Sequence, residues 1–182
     1  MRSAVVAVDV DGVLAADAAL AGGEHVLAGL GYRMYEFAGP GPDGRAAAGT
    51  VWLNVDHGAW LRELHDRGAE LAWATSWGAR AADWVAPRLD LPEMPVIEVP
   101  NHGPAFGWSP KCGPIRRWVA DRPVAWLDDS FGGKELGWAE DRRNDGVPTL
   151  IVPIEVGRGL QRKHIDDVVA WLDTDVATYL AR

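Results

Sequence analysis

Short apolar runs alternate with stretches of helical periodicity over most of this chain. Residues 4–8 are apolar and rich in β-branched side chains, which predicts a buried strand. Four later runs predict further strands, at residues 70–76, 96–99, 124–129 and 149–152. Helices are predicted near residues 57–67, 79–88, 111–121, 134–143 and 160–172, and apolar residues fall at helical spacing in the first and the last of these. This alternation predicts an α/β fold, a Rossmann-like three-layer sandwich around a five-stranded parallel sheet.

The segment before the first long helix has a different pattern. Residues 32–37 alternate aromatic and polar side chains, and residues 50–55 resemble a second short strand. A dense glycine and proline turn signal lies between them, at residues 39–44. These features predict a hairpin or flap, inserted at about residues 15–56 of a single domain that covers residues 1–182. Asp56 is predicted to cap the helix that follows.

Composition narrows the class of protein. The 182 residues, 48% hydrophobic and 24% charged, suit one globular domain. A net charge of -8 disfavours nucleic-acid binding through bulk charge, though not through a local basic patch. The single cysteine, Cys112, excludes an intrachain disulfide and fits a reducing compartment. No apolar run approaches the roughly 20 residues of a membrane span, and Asp9 and Asp11 interrupt any secretion signal, so we expect a cytoplasmic protein without membrane contact.

An acidic pair follows the first strand directly. Asp9 and Asp11 are two residues apart, so in an extended chain both side chains point to the same side, and Gly12 permits a sharp exit. Open α/β sheets bind ligands at the carboxyl ends of their strands. Two carboxylates at that place repel each other unless a cation or a proton accompanies them. The alternative is a solvated Asp-x-Asp-Gly turn.

Polar groups also follow other strands. Thr75 and Ser76 end the run at residues 70–76, and Asp128 and Asp129 end the run at residues 124–129. Lys111 stands where a helix begins. Each has a structural alternative: a hydroxyl that caps a strand, a solvated lysine, and a strand-to-turn exit. The five histidines show no spacing typical of metal ligands.

Taken in order, these motifs resemble those of the haloacid dehalogenase superfamily. The matching residues are Asp9-Val10-Asp11-Gly12-Val13, Thr75, Lys111 and Asp128-Asp129, and the match covers residues 4 to about 153. The resemblance implies the fold of that superfamily and phosphatase activity, because its phosphatases carry the second aspartate and its dehalogenases lack it. Phosphoryl transfer needs a nucleophile, charge neutralisation and a proton for the leaving oxygen.

The resemblance implies a role for each residue. Asp9 is the expected nucleophile and forms an aspartyl-phosphate, while Asp11 protonates the leaving group and then activates water. Thr75, the Ser76 backbone and Lys111 are expected to bind the phosphate.

The expected cofactor is Mg²⁺, a hard cation that prefers oxygen ligands. Its expected ligands come from Asp9, Asp11 (through the backbone carbonyl), Asp128 and Asp129, the last either directly or in the outer shell.

The insertion is too small for a large cap domain, so we expect an open site that admits a large phosphorylated molecule or is closed by a second subunit or a partner domain. Residues 70–77, 122–129 and 148–152, with Gly159-Leu160 and His164, resemble the small phosphatase-like domain of bacterial Swiss army knife RNA-repair proteins. That likeness implies a nucleotide, a nucleic-acid end or a small metabolite phosphate as substrate. Trp77 and Trp108 flank the predicted site and either stack on a base or simply pack.

Two other functions remain open at this stage. The same residues suit a phosphotransferase that acts on a small metabolite. A non-catalytic binding module would keep the fold and use Asp9 as a ligand, although such a module has no chemical need for Asp9, Asp11, Thr75, Lys111 and Asp128 together.

Overall fold

Two separate β-sheets make up the strand content of the computed structural model, which describes residues 3–40, 46–100 and 109–182. The strands in chain order are β1 (Val5–Val8), β2 (Ala15–Ala16), β3 (Tyr32–Pro40), β4 (Ala46–Asn54), β5 (Glu70–Trp73), β6 (Val124–Asp128) and β7 (Thr149–Pro153). A parallel sheet has the order β5-β1-β6-β7, and an antiparallel sheet has the order β2-β4-β3. The α/β class and the parallel central sheet are therefore confirmed.

The helices follow in the same order. They are α1 (Ala18–Ala21), α2 (Glu24–Gly29), α3 (Asp56–Asp66), α4 (Ala86–Leu89), α5 (Cys112–Val119), α6 (Gly133–Asn144), α7 (Arg162–Trp171) and α8 (Ala177–Leu180). Two π-helical turns, Ala81–Val85 and Leu172–Val176, lead into α4 and α8. Within the described ranges, no helix combines the length and the apolar character that crossing a bilayer requires.

Strand periodicity divides the core between the two faces of the parallel sheet. Val6 and Val8 of β1 pack with residues of α3, α4 and α7. Val5 and Ala7 point the other way, because side chains alternate along a strand, and they pack with α5 and α6. All four β1 residues are fully buried, so β1 lies at the centre of the sheet with a helical layer on either side.

The fifth strand that the sequence predicts at residues 96–99 is not present as a strand. Val96 makes a single parallel bridge to Trp73 at the outer edge of β5. Two hydrogen bonds accompany it, from Trp73 N–H to Pro95 O (2.9 Å) and from Ile97 N–H to Trp73 O (2.8 Å). Prolines at positions 92, 95 and 100 surround this point, and proline lacks the N–H that a longer ladder needs.

Helix boundaries differ from the sequence prediction at two places. Asp56 is the first residue of α3 rather than its cap, and its N–H is bound by the side chain of Asn54 at 3.0 Å. The helix expected from residue 160 begins at Arg162. The start of the helix expected at residues 79–88 is confirmed, because the chain is helical from residue 79, with a π-helical turn at Ala81–Val85. Local hydrogen bonds, which periodicity does not reveal, set these ends.

The predicted hairpin is present and longer than expected. β3 and β4 pair over nine residues each. β2, the strand that follows β1 in the chain, pairs with the other edge of β4. The base of the hairpin is tied to the loop after β7: Leu160 N–H binds Val13 O at 2.8 Å, and Tyr32 Oη–H binds Arg158 O at 3.0 Å. Residues 41–44 of the expected turn lie outside the described residues.

Gly58 marks a close approach of α3 to α4. A Cβ at this position would lie 1.8 Å from the carbonyl oxygen of Leu89.

We therefore expect Gly58→Ala to lower the free energy of unfolding by about 2 kcal/mol or more, since backbone must move to make room. Gly137→Ala on α6 is the matched control, because nothing lies within 4 Å of its Cβ. Helix propensity favours that change by up to about 1 kcal/mol. Urea denaturation measures both, and an undiminished midpoint for Gly58→Ala would contradict the packing described.

A buried histidine ties α3 to the loop after β7. His57 is fully buried and its Nε2–H donates to Leu160 O at 3.0 Å. Burial lowers the pKa of His57 to about 4. Because the native state resists protonation that the unfolded chain accepts near pH 6.5, we expect this group to reduce stability as the pH falls from about 6.5 toward 4.

Between about pH 6.5 and pH 4, the variant His57→Gln should lose less free energy of unfolding than the wild type, because it lacks the group that the native state keeps neutral. His65→Gln is the control, because His65 is exposed on the same helix. Identical pH slopes for the wild type and His57→Gln, measured by urea denaturation, would rule out His57 as the source.

Candidate active site

Lys111 joins two buried carboxylates from neighbouring strands. Its Nζ lies 2.5 Å from Asp9 Oδ2 and 2.7 Å from Asp128 Oδ2. Asp9 and Asp128 are only 4% and 1% exposed. These three residues are far apart in the chain, and the sequence prediction that they meet at the carboxyl ends of the strands agrees with this geometry.

The backbone of the parallel sheet positions both carboxylates. Asp9 follows β1, and its N–H binds Leu127 O of β6 at 3.1 Å, which continues the strand pairing by one residue. The Asp9 Oδ1 accepts the N–H of Val10 at 2.7 Å. Asp128 is the last residue of β6, and its Oδ1 accepts the N–H of Ser130 at 3.1 Å. Each carboxylate is therefore oriented by one backbone donor and one ammonium.

Trp126 is a site residue that the sequence reasoning missed. Its indole Nε1–H donates to Asp128 Oδ2 at 3.0 Å, inside the core on the α5 and α6 side of the sheet. The signal was available, because residues two apart in a strand point to the same face. Most buried indole N–H groups bond to an acceptor, and Asp128 supplies one for Trp126.

Glu135 is a second missed residue. This buried carboxylate accepts the N–H of Ser109 at 3.0 Å and the N–H of Gly132 at 2.9 Å. Ser109 in turn accepts the N–H of Lys111 through its Oγ at 3.3 Å. Glu135 thus connects the loop that carries Lys111 with the loop that follows Asp128. Glu135 stands three residues after Gly132, the position from which a glutamate side chain can bind the N–H of the N-cap residue, and this spacing was the available signal.

A third carboxylate completes a cluster with metal-binding potential. Oxygen atoms of Asp9, Asp128 and Asp129 all lie within 4.8 Å of one another. Gly12 makes room for Asp129: its φ is +73°, and a Cβ there would lie 2.4 Å from Asp129 Oδ2. The sharp exit that the sequence predicts at Gly12 is confirmed, and the glycine has a second use, since any side chain would displace this carboxylate.

Burial makes the cluster costly to ionise. It raises the pKa of Asp9 to about 7, with Lys111 opposing the change and Asp128 adding to it. Burial, followed by repulsion from Asp128, also raises the pKa of Asp129. Burial favours the neutral form of Lys111, but its two carboxylate partners outweigh this and raise its pKa. Lys111 is shared between Asp9 and Asp128, and Asp129 lies beside the pair as a third acidic group.

The remaining predicted site residues lie nearby but make different contacts. The exposed side chain of Asp11 accepts a hydrogen bond from the Trp77 indole at 2.9 Å and is not among the three clustered carboxylates. Thr75 is fully buried after β5, next to β1, and its Oγ1 accepts the N–H of Trp77 at 3.4 Å. Ser76 is exposed. Trp108 lies outside the described residues.

Comparisons with known proteins add no further information: the chain matches none of the protein-family models and none of the curated proteins.

A divalent cation should stabilise the folded protein through this cluster. We expect millimolar Mg²⁺ or Mn²⁺ to raise the melting temperature by about 2–5 °C, because a cation that binds only the native state adds its binding free energy. Asp129→Asn should lose most of that rise. Asp141→Asn, an exposed change on α6, is the control and should keep it. An equal rise in Asp129→Asn and the wild type, or none in either, would contradict a cation site here.

Proposed function

We propose that this protein is a Mg²⁺-dependent phosphomonoesterase of the haloacid dehalogenase type that works through an aspartyl-phosphate. The observation that supports it most directly is the contact of Lys111 with both Asp9 and Asp128. A nucleophilic carboxylate needs a cation beside it to meet an anionic phosphate, and Lys111 is well suited to be that cation. A surface turn or a solvated lysine, the alternatives from sequence, would not bury these groups.

The finer fold proposal is the five-stranded sheet of that superfamily. The bridge at Val96 lies beside β5, at the edge opposite β7. This position supports treating residues 95–97 as a shortened outer strand. The small hairpin between β1 and α3 supports a minimal cap, and with it the single-domain organisation proposed for residues 1–182.

The residues present fit a hard divalent cation. Three carboxyl groups offer oxygen ligands within 4.8 Å of one another, and two of them share the ammonium of Lys111. Asp9, Asp128 and Asp129 would hold the ion, with the backbone carbonyl of Asp11 as a further ligand. When bound, Mg²⁺ would offset the charge of the phosphate and of the carboxylates.

The chain's own residues would carry the chemistry. A carboxylate oxygen of Asp9 forms a bond to phosphorus while the bond from phosphorus to the leaving oxygen breaks, and Asp11 gives that oxygen its proton. Water then attacks the aspartyl-phosphate, Asp11 takes a proton from it, and phosphate and Asp9 are released. Thr75, Ser76 and Lys111 would bind phosphate oxygens. Nucleotides or nucleic-acid ends are the proposed substrates, since a minimal cap leaves space for a large leaving group.

An aryl phosphate assay tests the proposal. We expect 4-nitrophenyl phosphate hydrolysis to require Mg²⁺ and to fall by at least about 10³-fold in Asp9→Asn, because an amide is a poor nucleophile. A phosphoryl group on Asp9 should be detectable by mass spectrometry after an acid quench. Asp141→Asn is the matched control and should keep wild-type turnover.

Turnover in Asp9→Asn equal to that of the wild type would refute the assignment of the nucleophile. Transfer of the phosphoryl group to an added alcohol in preference to water would identify a phosphotransferase. Tight binding of phosphorylated ligands with no turnover by the wild type would favour the binding module.

A further inference from the structure

The exposed carboxylate of Asp11 is held by a tryptophan. Trp77 Nε1–H donates to Asp11 Oδ2 at 2.9 Å, across the gap between the loops that follow β5 and β1. A carboxylate at the surface ordinarily samples several rotamers, and fixing one of them costs side-chain entropy. This hydrogen bond offsets part of that cost and selects one orientation of the Asp11 carboxyl group.

The indole itself is fixed by an aromatic cluster, which consists of Phe37, Trp77, Trp84 and Arg80. Phe37 stacks on Trp84 with ring centroids 4.6 Å apart, and both rings contact Trp77, at 5.7 and 6.3 Å. The Arg80 guanidinium lies over both tryptophans, at 5.9 and 5.8 Å from the ring centroids, and its Nε–H binds Trp77 O. Contacts on several sides leave the Trp77 ring little rotational freedom.

The hairpin supplies Phe37 to this cluster, and two of its glycines leave room for the aromatic rings. A Cβ at Gly49 would lie 2.8 Å from the Phe37 ring, and a Cβ at Gly39 would lie 2.9 Å from the Trp84 ring. Both strands of the hairpin therefore carry glycine where an aromatic ring passes. The hairpin and the loop after β5 form one packed unit next to Asp11.

Proton donation requires a defined position of the acid. A general acid must reach the leaving oxygen at hydrogen-bond distance, and a side chain that rotates freely spends little time there. With Oδ2 of Asp11 bound to the indole, Oδ1 is the oxygen left to carry the proton. When that proton moves to the leaving oxygen, the negative charge left on the carboxylate is stabilised by the Trp77 N–H.

We propose that Trp77 is a positioning residue that orients the carboxyl group of Asp11 for proton transfer to the leaving oxygen, with the aromatic cluster fixing its ring. This inference rests on the proposed function, in which Asp11 is the acid. It assigns the cluster a use beyond packing and connects the hairpin to the chemistry.

Leaving-group dependence tests it. Phenyl phosphate needs a proton on its leaving oxygen, whereas 4-nitrophenyl phosphate releases a stabilised anion. We expect Trp77→Phe to lower kcat/KM for phenyl phosphate by at least about 10-fold and for 4-nitrophenyl phosphate by less than about 3-fold. The control is Trp60→Phe, the same substitution at a half-buried tryptophan on α3 outside the aromatic cluster, which should leave the ratio of the two substrates unchanged. Because both substrates are assayed on one preparation, the ratio does not depend on the fraction of protein that is folded.

A double-mutant cycle gives the second readout. If Trp77 acts through Asp11, Trp77→Phe should change the substrate ratio no further in an Asp11→Asn background. Equal losses on both substrates, or an undiminished effect of Trp77→Phe when Asp11 is already replaced, would overturn the inference. If the wild-type protein is inactive on both substrates with Mg²⁺, the proposed function is overturned, and this inference with it. If the wild type is active but Trp77→Phe has the same ratio of kcat/KM values for the two substrates, the inference alone is overturned.

Discussion

The pairing of one lysine with two buried carboxylates is the constraint on which the rest of this structure depends. A buried carboxylate without a partner costs several kcal/mol, so Asp9 and Asp128 are tolerable only with Lys111 between them. Both carboxylates share this one ammonium, and Asp129 adds a third acidic group beside them. Such an arrangement is poor for stability alone, because apolar residues of similar size would pack at less cost. This cost to stability within a well-packed core is one reason why we propose a functional site here.

The surrounding fold fixes the positions and orientations of the two carboxylates, which the ion pairs alone would not do. Parallel strands bring Asp9 and Asp128 to one edge of the sheet, and backbone N–H groups orient each carboxylate. Trp126 gives Asp128 a further donor from within the core. Low polarity around these hydrogen bonds strengthens each of them, which lets the cluster keep one geometry.

Sequence reasoning predicted that Asp9 and Asp128 meet, because strand direction places both at one edge of a parallel sheet. Lys111, at the start of a helix, was added to them only through the resemblance to the haloacid dehalogenase motifs. Sequence reasoning failed at residues 96–99, where the apolar run suggested a strand but the flanking prolines leave only one bridge. It also missed Trp126 and Glu135. A side chain's partner depends on tertiary packing, and neither periodicity nor motif spacing along one chain contains that information. The contact of Trp77 with Asp11 was not predicted for the same reason, although proximity to the site was.

The carboxylate of Glu135 has a mechanical consequence. It binds the loop before Lys111 with one oxygen and the loop after Asp128 with the other, so both loops share a single attachment point on α6. The loops on either side of the ion pair are therefore cross-linked through one side chain. Neither loop can shift without lengthening its hydrogen bond to Glu135.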